Sequence, residues 1–449
     1  MTTKKLKSVA GALALTLPIA ASAGSYIVLG TPGAKLDAAV AAAGGTVTKR
    51  LQALDAVVAE GDGSFHAAIT GKRGVQGVAR NLVVQWTPPA LRSAELAVGA
   101  NAASPPSTGD DDFFFDLQWG HTAVRATGAW AGGARGAGAR VAVLDGGFDT
   151  DHPDLAPNID LACSADMTGE GLTYGLSNTF SHGTHVAGTI AAADNAFGTI
   201  GVAPESTLCL VKVLGDAGSG SFDDVASGIV HAADQGVDVI NMSLGAALFK
   251  SGSVADGYTA RDVADLKNFM ARAVAYAHKR GALVVASAGN DAIDGDKDRN
   301  LIHLPSDTPH AVSISATAPL GWAADPANAF LDYGASYTNY GRSVISLAAP
   351  GGDTAYPGDE SCTIAGLTRP CWVFDLVFST GNNGWYWSAG TSMAAPHAAG
   401  VAALIVGKHG KMRPAQLRTM LERGAADLGQ PGNDPIYGAG RVDALGSVE

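Results

Sequence analysis

The stretch Val141-Ala-Val-Leu-Asp145-Gly-Gly-Phe-Asp149 decides the fold. Four consecutive apolar residues without polar alternation read as a strand buried on both faces. That is the mark of a parallel sheet covered by helices. Asp145 falls at the carboxyl end of this strand, where such a sheet places its functional side chains. The two glycines let the chain turn sharply and leave room beside the carboxylate. Alone, Asp145 reads equally well as a turn former.

Outward from this strand the pattern repeats. Strands are expected at residues 208–213, 237–242, 282–286, 312–316 and 344–348. Helices are expected at residues 182–193, 222–234, 263–279, 391–408 and 414–423. The alternation predicts an α/β fold, a mostly parallel twisted sheet with helices on both faces.

The amino-terminal side reads differently. Residues 24–87 suggest a small α+β unit, with strands at 25–29, 46–48, 56–60 and 82–86 and a helix at 36–43. Thr87-Pro-Pro89 and Asn101-Ala-Ala-Ser-Pro-Pro-Ser-Thr-Gly-Asp110 then have the composition of an exposed, cleavable linker. Before this unit, Lys4, Lys5 and Lys7 precede an apolar run over residues 9–20, which ends in Ala21-Ser22-Ala23. This is the layout of a secretory signal cut before Gly24. The run is too short for a membrane span, and Pro18 interrupts it. The expected division is a signal at 1–23, a unit with its linker at 24–110, and a main domain at 111–449.

The chain has 449 residues, 47% hydrophobic and 16% charged, enough to bury a sizeable core. Its formal net charge of −12 excludes a nucleic-acid partner, which needs a basic face. Four cysteines in an exported chain allow two disulfides in three pairings. Cys362 and Cys371 share one Gly-, Pro- and Thr-rich loop and are expected to pair, leaving Cys163 with Cys209. Four free thiols are the alternative, Cys209 lying in an apolar run.

Three further segments carry chemistry. His182 opens a helix in Ser181-His182-Gly-Thr-His185-Val-Ala-Gly188. It reads either as a general base or, with His185, as half of a metal site. Spacing disfavours the metal: the histidines are three apart and no glutamate lies between them. Ser392, in Gly390-Thr-Ser392-Met-Ala-Ala-Pro396, falls at a helix start, where free N–H groups and the dipole favour a developing anion. A plain helix cap is the simpler reading of that serine. Asn290 ends the strand run through Ser287-Ala288-Gly289 and offers an amide donor, or a turn.

Their joint occurrence in the order Asp, His, Ser resembles the subtilisin-like serine peptidases. Gly201-Val-Ala-Pro204, Asn241-Met-Ser243-Leu244-Gly245 and His152-Pro-Asp154-Leu also match, so the resemblance covers most of residues 115–445. One departure is Gly146, where the family more often has Ser or Thr.

The resemblance implies a secreted serine endopeptidase with Asp145, His182 and Ser392 as triad and Asn290 as oxyanion donor. Ser243-Leu244-Gly245 would pair with the substrate backbone, and Ser287-Ala288-Gly289 would form the other wall of the side-chain pocket. His303 would reach the pocket floor, unless it is a surface-loop residue. The implied cleavage is broad, with apolar residues favoured before the cut.

No cofactor is implied for the chemistry. Structural calcium is implied at Asp154 and Asn195; the glutamine expected near the mature amino terminus is not evident, although Asp116 is nearby. The unit at residues 24–110 would be a propeptide that inhibits and is then cut off by the enzyme itself, between about Pro88 and Asp112. The partners implied are protein or peptide substrates and this propeptide, with no membrane and a monomeric enzyme.

Overall fold

The computed structural model describes residues 24–87, 93–96, 109–176, 180–356 and 360–449. The expected signal and most of the linker lie outside the described residues.

The amino-terminal unit contains β1 (Gly24–Gly30), α1 (Asp37–Ala42), β2 (Thr46–Leu51), β3 (Ala56–Gly61), α2 (Phe65–Ile69) and β4 (Val75–Arg80). Its antiparallel sheet has the order β2-β3-β1-β4. In β1, period-two alternation divides the side chains between two cores. Tyr26 and Val28 pack on α1 and α2, in one cluster with Val40, Phe65 and Ile69. Ile27 and Leu29 face the main domain, in one cluster with Leu266, Phe269 and Ala273. Sequence reading missed β4 and α2. A short strand, β5 (Val83–Gln85), follows.

The main domain is built on β6 (Arg140–Asp145), β7 (Thr207–Lys212), β9 (Val239–Met242), β11 (Leu283–Ser287), β13 (Ala311–Ala318) and β14 (Leu347–Pro350). Between them, β8 (Ser219–Ser221), β10 (Ala246–Phe249) and β12 (Leu301–Leu304) form small side ribbons. The six long strands run parallel, in the order β14-β13-β11-β9-β6-β7. Tyr333–Gly334 adds a short antiparallel edge to this sheet. All residues of β9 and β11 are buried, and apart from Asn241 and the terminal Ser287 all are apolar.

Helices cover both faces. α3 (His182–Ala191) and α6 (Thr391–His409) share one core with Val141 and Val143. α4 (Phe222–Asp234) and α5 (Ala260–Arg280) share the other with Ala142 and Leu144. α7 (Pro414–Gly424) lies against α6. Finally, β15 (Val377–Gly381) and β16 (Gly384–Ser388) form a hairpin that leads into α6. Both expected disulfides are present, Cys163–Cys209 and Cys362–Cys371. No helix among the described residues is long and apolar enough to cross a membrane.

Candidate active site

Asp145 ends β6 fully buried, and its Oδ1 accepts the Gly146 N–H at 2.7 Å. Across from it, His182 is the first residue of α3. Ser181 caps that helix by accepting the Thr184 N–H and donates its own hydroxyl to the Gly147 carbonyl at 3.0 Å. The β6 turn and the α3 start are thereby tied together. The result is a 2.9 Å contact from His182 Nδ1 to each Asp145 carboxylate oxygen. A carboxylate there holds the proton on Nδ1 and leaves Nε2 of the neutral ring as an acceptor.

His185 does not join a metal site. Its Nε2 faces the backbone carbonyls of Val377 and Tyr386 at 3.2 and 3.0 Å. Burial, with His182 nearby, pulls its pKa down to about 3.

Ser392 lies in the first turn of α6, after Gly390 at the cap. Its N–H is one of the groups that a helix start leaves without an intrahelical acceptor. Pro396 sits in the same helix and has no N–H to offer the Ser392 carbonyl four residues back. The Ser243 hydroxyl substitutes, donating to that carbonyl at 2.7 Å. In return Ser392 Oγ donates to the Ser243 carbonyl at 3.1 Å.

Asn290 is oriented by a residue that sequence reading passed over. Its Oδ1 accepts both the N–H and the hydroxyl of Thr391, at 2.9 and 2.8 Å. Nδ2 is therefore left as a donor beside the start of α6.

Ser392 and Asn290 line one cleft of about 310 Å³ with Gly245, Ala247, Ser287, Gly289 and His303. Of the expected pocket residues, Gly245, Ser287 and Gly289 line this cleft, whereas Ser243, Leu244 and Ala288 are buried and do not. Sequence reading also missed the segment opposite Gly245, Gly218 with β8. Here β5 pairs antiparallel with β8, and the Trp86 carbonyl accepts the Gly245 N–H at 2.8 Å. The Trp86 indole is buried against Phe222 at 4.7 Å between ring centroids and donates to the Gly220 carbonyl. The chain's own residues 85 and 86 thus line the cleft beside Ser392.

Asp154 lies apart from this cleft. Its Oδ2 accepts from Thr199 N–H and the Trp385 indole, at 2.8 Å each, whereas Oδ1 is buried without a partner among the described residues. Burial pushes its pKa up to about 6, partly offset by hydrogen bonds that include one from Asn195. Asp112, which the sequence reading did not single out, reaches the loop around Asn195. Its Oδ1 accepts the N–H groups of Asn195 and Phe197. Asp110, Asp111, Asp112 and Asp194 bring carboxylate oxygens within 4.8 Å of one another.

An aspartate-tied histidine, a serine at a helix start and a fixed amide donor thus lie beside the carboxyl ends of the parallel sheet. Comparison with known proteins gives the class of the chain, a subtilisin-like serine endopeptidase. The model of the Subtilase family matches residues 136–440. M-protease of Shouchella clausii (strain KSM-K16) is 37% identical over 330 residues, 73% of this chain and 69% of that protein. Thermitase of Thermoactinomyces vulgaris is 32% identical over 343 residues, 76% of this chain and 99% of the relative. The chain belongs to the subtilase family.

Among solved structures, the epidermin leader peptide processing serine protease (EpiP) of Staphylococcus aureus superposes with a TM-score of 0.73 at 22% identity. The match covers 95% of this chain and 98% of that one. A lanthipeptide protease gives a TM-score of 0.59 at 30% identity, over 74% of this chain and 94% of its own.

Proposed function

We propose that the chain is made as a secreted, monomeric zymogen whose main domain hydrolyses peptide bonds through Asp145, His182 and Ser392. The observation that carries this is the 2.9 Å Asp145–His182 pair on the same sheet end as a cleft lined by Ser392 and Asn290. In the reaction, Ser392 Oγ leaves its contact with the Ser243 carbonyl and attacks the scissile carbonyl. His182 Nε2 takes the proton and then gives it to the leaving amine. Asp145 keeps the imidazole in the required tautomer and stabilises its charged form. The Ser392 N–H and Asn290 Nδ2 receive the oxyanion. Water then releases the acyl group from Ser392 by the same proton path reversed. The chemistry needs no cofactor.

Substrate backbone would pair with Ser243-Leu244-Gly245 on one side and with β8 on the other, as residues 83–86 do in this structure. Main-chain pairing of this kind reads little sequence. Ser287, Ala288 and Gly289 would wall the side-chain pocket with Gly245, favouring uncharged, apolar side chains. The unit at residues 24–110 acts as the inhibitory propeptide, with Trp86 and its neighbours standing where substrate would bind. Ser93–Leu96 pairs with β16, the strand that runs into Gly390 and Ser392. Paired segments on both sides of the serine support a self-cut between about Pro88 and Asp112.

Structural calcium fits the unpartnered Asp154 Oδ1, with Asn195 as its second side-chain ligand and the carboxylates of Asp110–Asp112, from an earlier segment, set against the same loop. It would supply local positive charge and hold the loop; no step of the reaction passes through it.

The test is covalent labelling. A serine-directed phosphonylating reagent should add one group, located on Ser392 by peptide mass spectrometry, and abolish casein cleavage. Retained cleavage with Ser392 fully labelled would overturn the assignment.

A further inference from the structure

His303 stands at the cleft that holds Ser392 and Asn290, yet it takes no part in the mechanism above. It lies on β12, directly opposite Ala247 in the ribbon with β10. The cleft is therefore not apolar throughout: an imidazole is built into its lining.

The orientation of that imidazole is fixed by Asn339, a buried side chain behind the cleft wall. Asn339 Oδ1 accepts the N–H groups of Asp291 and Ile293, both at 3.0 Å. Two backbone donors demand the amide oxygen at that position, so the amide cannot be turned over. Its Nδ2 must then face the other way. There it donates to the Ala288 carbonyl at 2.9 Å and approaches His303 Nε2 at 3.4 Å. An amide nitrogen offers only hydrogens, so Nε2 is the acceptor and the proton of the neutral ring sits on Nδ1.

Nδ1 makes no hydrogen bond among the described residues. It lies against Gly289, where an added Cβ would come within 3.1 Å of Nδ1 and 2.3 Å of Asn339 Nδ2. Gly289 also has a φ of +102°. A glycine is required there on both counts, and since Gly289 itself lines the cleft, its bare backbone leaves the space beside Nδ1 unfilled. On the rim stands the exposed carboxylate of Asp291.

We propose that His303 is a specificity residue for this peptidase: its Nδ1–H donates to a neutral acceptor on the substrate side chain entering the cleft, the amide oxygen of Gln or Asn. This rests on the peptidase reading above and refines its apolar preference. The walls take the uncharged stem of the side chain, and one donor reads its tip. A Glu side chain meets the Asp291 carboxylate on entry. Leu enters but leaves the Nδ1–H without a partner, and Lys brings no acceptor to it.

The test is a series of fluorogenic tetrapeptides with Gln, Leu, Glu or Lys before the cut, assayed on the matured enzyme and on His303→Leu and His303→Gln. Wild type is expected to cleave the Gln peptide at least as well as the Leu peptide, by kcat/KM. The Gln-to-Leu ratio should fall about tenfold in His303→Leu, the upper size of one net neutral hydrogen bond. It should stay within twofold of wild type in His303→Gln, which keeps a donor. A wild-type preference for Leu of tenfold or more would overturn the proposal. So would an unchanged ratio in His303→Leu, or an equal fall in both variants. Phosphonyl labelling of Ser392, run on the same samples, separates the two readings. Intact labelling with an unchanged ratio removes only the role of His303, whereas failed labelling strikes the peptidase reading itself.

Discussion

The two helical layers of the main domain do different work. On one face, α3 and α6 are buried almost all round, α3 from Gly183 to Ala191 and α6 from Thr391 to Val406. On the other, α4 and α5 are amphipathic and carry acidic residues in their first turns. The first layer presents His182 and Ser392 at its helix starts. The second presents Asp223, Asp224, Asp262 and Asp265 to the amino-terminal unit.

There, Lys49 Nζ lies 2.6 and 2.7 Å from Asp223 and Asp224. The Arg80 N–H donates to Asp262 at 2.8 Å, and the Val78 N–H to Asp265 at 3.1 Å. Arg272 adds a bond to the Leu54 carbonyl at 2.9 Å. The contrast is between an apolar layer that carries the proposed catalytic residues and a polar layer that grips the amino-terminal unit. Helix starts matter in both: the same dipole that would favour an oxyanion at Ser392 also suits carboxylates at α4 and α5.

The largest effect that would sharpen this contrast is at Asn290, the proposed oxyanion donor. Asn290→Ala should lower kcat by about 10²–10³-fold with KM little changed. A KM effect alone would make Asn290 a binding residue instead.

Next is acid. The dry layer encloses His121, His185 and His397, whose pKa values burial lowers to about 3, 3 and 4. A histidine neutral in the fold but free to charge when unfolded stabilises the fold above pH 6.5, and this contribution is lost as pH falls. His121→Phe removes one such site. Its stability relative to wild type should rise by about 3 kcal/mol between pH 7 and pH 4, read from urea unfolding. Parallel pH profiles for the two proteins would break the account of this layer.

A smaller loss is expected from Ser243→Ala, which leaves the Ser392 carbonyl unpaired behind Pro396. Unfolding should become easier by about 1–3 kcal/mol. The smallest effect falls on the polar layer. Lys49→Ala should weaken the hold of a separately added amino-terminal unit by a few-fold at low salt and less at high salt, measured as an inhibition constant. Inhibition by both units that is equally insensitive to salt would contradict an ionic contact.

What the sequence revealed follows the same division. The runs Val141–Leu144 in β6 and Leu283–Ala286 in β11 were legible because burial on both faces leaves no polar residue in them. Asp145, His182, Ser392 and Asn290 were legible as an ordered set. β4 was not, because Gly77 interrupts it; an added Cβ there would fall 2.6 Å from Asp265, so the partner domain demands the glycine. The expected strand at 344–348 lies instead at Leu347–Pro350, since the N–H groups of Val344 and Ile345 both turn back to the Gly341 carbonyl. Pro396 was visible inside a helix, but not the Ser243 hydroxyl that serves the carbonyl it orphans. The partners of a site are set by tertiary packing, which one sequence read locally does not display.

The most direct test of the central claim is the intact mass of freshly folded wild type and Ser392→Ala over time at several dilutions. Wild type should lose its amino-terminal unit by a cut between Pro88 and Asp112, at a rate independent of concentration, while Ser392→Ala stays whole. A Ser392→Ala chain that matures alone at the wild-type rate would contradict the account.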